Sequence, residues 1–381
     1  MKMPKKKSIL FYCATTPAVM IYKMARVLRK NGYKTTLFTM CEKDLFDWNF
    51  YFEAFDKIIC SDFQFFKPGF KTIPYIFKHG GSFLKFLIKM KFIRPYLVIG
   101  ISGNNWQLKL AHKYFFKKIP FIYFPYDIIS HFYSSFDDAL KRGPPRFELE
   151  AERYSFENAE GIIHKGSPEE IKAIRDRVHK RINIVALDLS FLPYCSKEFR
   201  VPINKNKLSK KDNELHIVYI GGFPNTPQLI KKVHQNFSRF NKEKIHMHAY
   251  VLMDHLPKKE EDQVIGDFFD GLKNPFFHLH KPVGAFDIIK EISKYDFGYI
   301  NAHEKNEDSI EPKFTVGNKI ASYFEAGIPF IYEKDLEYID KIMKKYGMPF
   351  AFDTDNISPI VKSITALDYE KIVTFNLHGA Y

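Results

Sequence analysis

Lys319 follows Gly317-Asn318 and opens a run in which Ile320, Ala321 and Phe324 recur at helical spacing. Gly327 then supplies a left-handed exit, and Ile328-Pro329-Phe330-Ile331-Tyr332 reads as a buried strand with its proline near the first residue, where no ladder donor is lost. A helix start presents backbone N–H groups and the positive end of the helix dipole, and a lysine beside it adds a full charge. Gly317, Asn318 and Lys319 therefore make a phosphate site, with Lys313 as a second cation. Gly221-Gly222 ends another apolar run. Its missing side chains let an anion approach the backbone, although the same pair also reads as a tight strand-to-helix turn.

Other residues suit an acceptor. Asp127 follows the apolar run Phe121–Phe124, at what would be the carboxyl edge of a sheet. It can orient or deprotonate a hydroxyl, or cap the next turn; His131 is the alternative base. Asn104 and Asn105 follow Tyr96–Ile101 and can hydrogen-bond a sugar or serve local turn chemistry. His278 and His280 form an HxH pair on one face of a strand. No acid or cysteine follows them at ligand spacing, so they read as structural and no metal site is expected.

The elements that must position these residues alternate in type. Ser8–Ala14, Tyr33–Met40, Lys57–Cys60, Tyr96–Ile101, Pro120–Phe124, Gly161–His164 and Ile182–Leu187 read as strands, separated by helical patterns such as the one from Pro17 to Gly32 and Arg146–Asn158. Ser167-Pro168-Glu169-Glu170 is a helix start: an N-cap, a first-turn proline and acids at the positive end. Lys205–Asn213, rich in Lys and Asn without apolar periodicity, reads as a linker. Beyond it come strands at Leu215–Ile220, His246–Met253, Phe276–Leu279, Phe297–Ile300 and Pro349–Phe352, and a helical stretch from Ile357. Strands alternating with helices predict parallel, doubly wound α/β sheets.

The 381 residues exceed one ordinary core and predict two domains; 45% hydrophobic and 27% charged content is that of a globular chain. Cys13, Cys41, Cys60 and Cys195 form no CxxC pair and suit reduced thiols in a cytosolic protein. No window approaches the roughly 18 apolar residues of a membrane span, and the apolar run after Lys5-Lys6-Lys7 is too short for a signal peptide. The net charge of +14 calls for an anionic partner. Residues 63–94 carry Lys67, Lys71, Lys78, Lys85, Lys89, Lys91 and Arg94 among many aromatics and no acid. That pattern fits an anionic membrane surface or a solvated face over core aromatics; no nucleic-acid motif accompanies it.

The segment from Lys319 to Ile331 resembles the nucleotide-sugar segment of GT-B glycosyltransferases, especially the large retaining group called family 4, where a lysine precedes Glu-Tyr-Leu-Ala-Ala-Gly-Ile-Pro and a strand. Aligned on Ala326-Gly327-Ile328-Pro329, Lys319 keeps the lysine, but Ser322 and Phe314 stand where that group has its two glutamates. Glu325, one helical turn after Ser322 on a shared face, is the carboxylate that can substitute. Glu152–Ile163, Ile217–Gly222 and Lys294–Ile300 resemble three further segments of the same fold, in the same order. Where that group has an arginine and a lysine after the glycine turn, this chain has Phe223-Pro224-Asn225-Thr226-Pro227, with only Lys231 and Lys232 beyond.

The resemblance implies two Rossmann-like domains with parallel sheets facing across a cleft. It divides the chain into residues 1–204 on the acceptor side, 205–356 for the nucleotide sugar, and 357–381 crossing back as a helix. It also implies sugar transfer with retention, without a metal or other cofactor, from a nucleoside diphosphate sugar to a saccharide or lipid-linked acceptor in surface-glycan assembly. The protein would be cytoplasmic, on the inner membrane face where residues 63–94 attach. In that frame Gly221, Gly222, Lys313, Gly317, Asn318, Lys319 and Ser322 bind the donor, Asp127 and Glu325 are catalytic, and Asn104, Asn105 and His131 meet the acceptor. Two rival expectations stand beside it, a nucleotide-sugar epimerase of the same fold and a non-catalytic partner subunit.

Overall fold

The computed structural model describes residues 7–15, 19–40, 48–61, 72–142, 145–164, 166–178, 184–186, 198–222, 227–252, 273–284, 287–301, 314 and 316–367. They fall into two compact units, those up to Leu187 and those from Asp188 onward.

The first unit is built on seven strands: β1 (Ser8–Cys13), β2 (Lys34–Thr39), β3 (Lys57–Cys60), β4 (Leu97–Ile101), β5 (Phe121–Phe124), β6 (Gly161–His164) and β7 (Ile184–Ala186). Their order is β3-β2-β1-β4-β5-β6-β7, and every pairing is parallel. Parallel strands are covered on both faces and so read as unbroken apolar runs. β1 is the example, with Ile9 through Cys13 all buried.

The second unit repeats the plan with β8 (His216–Gly222), β9 (His246–Leu252), β10 (Phe277–His280), β11 (Phe297–Ile300), β12 (Phe330–Glu333) and β13 (Ala351–Phe352). The order is β10-β9-β8-β11-β12-β13, again all parallel. In each sheet the strand order reverses once, between β1 and β4 and between β8 and β11. Open sheets of this kind hold ligands outside the carboxyl ends of the strands at that reversal.

The helix Lys319–Glu325 is pinned over the reversal of the second sheet. The buried Tyr323 hydroxyl donates to the carbonyls of Val218 (3.1 Å) and Tyr299 (3.0 Å), one on each flanking strand. Gly298 makes room for it: a Cβ there would lie 2.6 Å from the Tyr323 ring. The helix ends as its glycine predicts. Gly327 adopts φ +68°, its amide donates to Phe324 O, and that of Ile328 reaches back to Tyr323 O.

Two segments at the expected boundaries pack on the second unit. Lys205–Asn213, read as a linker, is exposed over most of its length but is anchored on the second unit through Lys207 and Leu208. Lys207 is 3% exposed, and its Nζ donates to Ser293 O (2.7 Å) and Tyr295 O (2.8 Å), while Ser209 Oγ donates to Asp296 Oδ1 at 2.6 Å. Composition pointed to solvent, but the lysine serves buried carbonyls. At the other end, the helix Ser358–Thr365 buries Ile360 and Ile364 in the core of the second unit; residues 368–381 of the expected crossing segment lie outside the described residues.

Candidate functional site

The site with the most chemistry lies at the reversal point of the second sheet. β8 carries Tyr219 and Gly221 on one face, two residues apart. Lys319, first residue of its helix, extends over them. Its Nζ sits 3.8 Å from the centroid of the Tyr219 ring and donates to Asn301 Oδ1 at 3.4 Å, just past the end of β11. An ammonium on an aromatic face is attracted by the ring quadrupole, so Tyr219 is the shelf that holds the charge in place. Burial pushes the Lys319 amine down to about 7; among the described residues the pocket offers it a ring face and one amide oxygen.

Gly221 is required here for two reasons. Its φ of +106° is costly for any side chain, and a Cβ would come within 3.1 Å of Lys319 Cε. Gly222 is exposed, has open space where a side chain would be, and accepts the Tyr219 hydroxyl through its carbonyl at 2.8 Å. The two glycines are the end of the strand itself rather than a tight turn beyond it. Gly317 and Asn318 lead into the helix, but the amides of Ile320 and Ala321 already donate to Gly317 O (3.3 Å) and Asn318 O (3.2 Å), and Asn318 makes no side-chain cap. The charge of Lys319, more than a row of open amides, is what this helix start offers an anion.

Ser322 lies half-buried on the same helix, whereas Glu325 is 1% exposed at its far end, where its carbonyl accepts Val201 N at 2.9 Å. That burial corrects the expectation of Glu325 as a donor-facing carboxylate. Lys232 is also withdrawn: it pairs with the buried Glu333, which in turn accepts the Tyr299 hydroxyl at 3.1 Å. Lys313 lies outside the described residues.

In the first unit, the ends of β4 and β5 carry the expected acceptor residues to one edge. Asp127 is exposed there. Asn104 caps the helix Asn105–Ala111, its side chain accepting Gln107 N at 3.2 Å. Asn105 is fully buried and accepts the Tyr123 hydroxyl at 2.9 Å. Both asparagines thus serve local structure, and the burial of Asn105 removes it from contact with an acceptor.

His131 is fully buried as well. Its Nδ1 lies 3.1 Å from Glu170 Oε1, and His164 Nε2 lies 3.0 Å from Glu170 Oε2. The two imidazoles hold this carboxyl down at about 2 against the opposing effect of burial. Ser167 caps the Glu170 amide as expected, but the glutamate turns inward to the histidines instead of lining the exposed helix start. His131 is therefore a structural residue of this core and not a surface base.

Sequence reasoning missed Tyr219 and Asn301. Period-two alternation places Tyr219 on the face of Gly221, and Asn301 is the first residue past a strand that borders the reversal. The missing information was which strands are neighbours.

No family model matches the sequence, and no curated protein does. Solved structures match over nearly the whole chain. Sucrose-phosphate synthase from Thermosynechococcus elongatus has a TM-score of 0.65 at 12% identity, covering 98% of this chain and 93% of that one. The N-terminal domain of Candida albicans trehalose-6-phosphate phosphatase gives 0.60 at 10%, covering 100% and 93%. The UDP-GlcNAc 2-epimerase of Methanocaldococcus jannaschii, solved with UDP-GlcNAc and UDP, gives 0.55 at 13%, covering 95% and 94%. At such identities the likeness establishes fold: this chain has the GT-B fold of two Rossmann-like domains.

Proposed function

We propose that the protein is a glycosyltransferase that uses a nucleoside diphosphate sugar as donor and a saccharide or lipid-linked molecule as acceptor, with retention at the anomeric carbon. The observation that carries this reading is Lys319, held on Tyr219 beside Gly221 and Asn301 at the strand reversal. Transfer breaks the bond between C1 of the sugar and the diphosphate oxygen and forms one between C1 and the acceptor oxygen. The acceptor proton leaves to Asp127 or to the departing diphosphate. Negative charge grows on the diphosphate as the bond breaks, and a preorganised cation in a partly buried pocket stabilises it better than water does. Lys319 supplies that cation, and Gly221-Gly222 lets the phosphates approach the backbone. Ser322 lies on the same helix for ribose or sugar contact.

Calorimetric titration with UDP-, GDP- and ADP-sugars tests the donor site. One of them binds, and Lys319→Ala weakens it about 10- to 100-fold, the value of a charged hydrogen bond of roughly 1.5–3 kcal/mol. Binding to none, or equal binding by the variant, overturns the reading. Release of nucleotide only when acceptor is present distinguishes transfer from sugar epimerisation.

A lipid-linked acceptor agrees with the surface of the helix Thr72–Phe92. Phe86 and Met90 face the core, while Leu84, Ile88 and Phe92, at i, i+4 and i+8, are 58%, 49% and 78% exposed. Lys85, Lys89 and Lys91 flank them, and a groove of about 650 Å³ lies between this helix and the edge strand β3. Apolar side chains rimmed by lysines fit the headgroup boundary of an anionic bilayer. No helix among the described residues is long and apolar enough to cross a membrane. In liposome sedimentation the protein pellets with anionic vesicles, and changing Lys85, Lys89 and Lys91 to Glu abolishes it; unchanged pelleting refutes attachment.

A further inference from the structure

The opposite, amino end of the second sheet carries a second constellation. His216 on β8, His246 and His248 on β9, and His278 and His280 on β10 share one face. Parallel register sets His216 beside His246, and His248 beside His278. Their rings stack in those pairs, at 4.4 Å and 5° for the first and 4.4 Å and 15° for the second. Diagonal hydrogen bonds join the pairs: His216 Nδ1 to His248 Nε2 (2.9 Å), His248 Nδ1 to His280 Nε2 (2.9 Å), and His246 Nδ1 to His278 Nε2 (2.8 Å). In such a chain each linked ring must donate from one nitrogen and accept at the other, so the tautomers are set collectively.

Both chains open toward the loop before β8. His216 Nε2 lies 3.0 Å from Asp212 Oδ2, and His246 Nε2 lies 2.6 Å from Glu214 Oε2. Donor atoms of Asp212, His216 and His246 all lie within 4.8 Å of one another.

We propose that Asp212, His216 and His246, with Glu214 beside them, bind a divalent transition-metal ion, zinc by the nature of the ligand set. Two imidazoles and carboxylate oxygens suit zinc, with nitrogen and oxygen each at about 2.0–2.2 Å. Asp212 is exposed and followed by Asn213 in a left-handed turn (φ 63°), so it can close on an ion without disturbing the sheet. The histidine chains serve the metal-bound state as well as the empty one. When an ion takes both Nε2 atoms, the protons sit on Nδ1, and His216 donates to His248 while His246 donates to His278. His248 in turn donates to His280. Each ligating ring keeps the outer hydrogen bond that fixes its orientation. The site stands at the opposite end of β8 from Gly221, about 17 Å away at roughly 3.3 Å per strand residue. Its role is to clamp the Asp212–Glu214 loop to the sheet, independent of the sugar-transfer reading.

The experiment uses the full chain without a histidine tag, stripped with chelator and titrated with zinc chloride by calorimetry. One zinc binds per chain, and cobalt in its place gives a visible absorption band. Asp212→Asn and His246→Gln each weaken zinc at least tenfold, the low end for loss of a contact in or around such a site. Zinc raises the thermal midpoint of the native protein, and the variants lose that rise. Absence of saturable binding near one equivalent overturns the assignment. So does Asp212→Asn, an exposed change that leaves the core intact, binding zinc as tightly as the native chain.

Discussion

Lys319 couples the proposed donor site to pH. Burial holds its amine at about 7, and a bound diphosphate raises it by supplying the opposite charge. Binding therefore takes up a proton above pH 7, and affinity for the nucleotide falls as pH rises. Between the empty and bound values the slope approaches tenfold per unit. Calorimetry of the donor nucleotide at pH 6.5, 7.5 and 8.5 checks this, with affinity nearly flat below 7; Lys319→Ala removes the dependence. Tyr219→Leu removes the ring face that steadies the ammonium, at a cost of about 0.5–2 kcal/mol in binding, seen as a 2- to 30-fold weaker titration.

At the scale of elements, the end of β8 and the start of the Lys319–Glu325 helix act as one unit, because the glycine of one admits the lysine of the other. Gly221→Ala places a side chain at φ +106° and 3.1 Å from Lys319 Cε. Strain of this kind costs roughly 1–3 kcal/mol, and the displaced lysine weakens nucleotide binding as well. Gly222→Ala, with open space around it, leaves stability within about 0.5 kcal/mol of native. Thermal denaturation and nucleotide titration of the two variants separate backbone strain from loss of a general glycine effect.

For the whole molecule, each unit closes its own core, and Trp48 and Trp106 both belong to the first. Tryptophan fluorescence thus follows the first unit alone. That unit holds Glu170 between His131 and His164, with its carboxyl at about 2 against an ordinary 4.5. The folded value is the lower one, so the carboxylate contributes stability in full above about pH 4.5 and loses it as pH falls toward 2. At pH 7 Glu170→Gln lowers the unfolding free energy by about 3–5 kcal/mol, the cost of a broken buried pair, and the urea midpoint falls with it. The difference from native shrinks as pH falls from 4.5. A gap that persists unchanged at pH 2.5 contradicts the ionised state of this carboxyl.

The chain by itself determined the alternation of buried strands and helices, the capped start at Ser167, the helix start at Lys319, and the glycine exit at Gly327. These follow from local periodicity and backbone sterics, which operate over a few residues. It also singled out Lys319 and Gly221-Gly222. The tertiary structure decided which strands are neighbours, and through that placed Tyr219 and Asn301 around Lys319 and gathered five histidines from three strands onto one face. It also decided that Lys207, Asn105, His131 and Glu325 are buried, although their residue types favour the surface. Burial of a polar side chain depends on partners far away in sequence: Lys207 is held by carbonyls 86 and 88 residues on. No window of sequence contains both ends of such a bond.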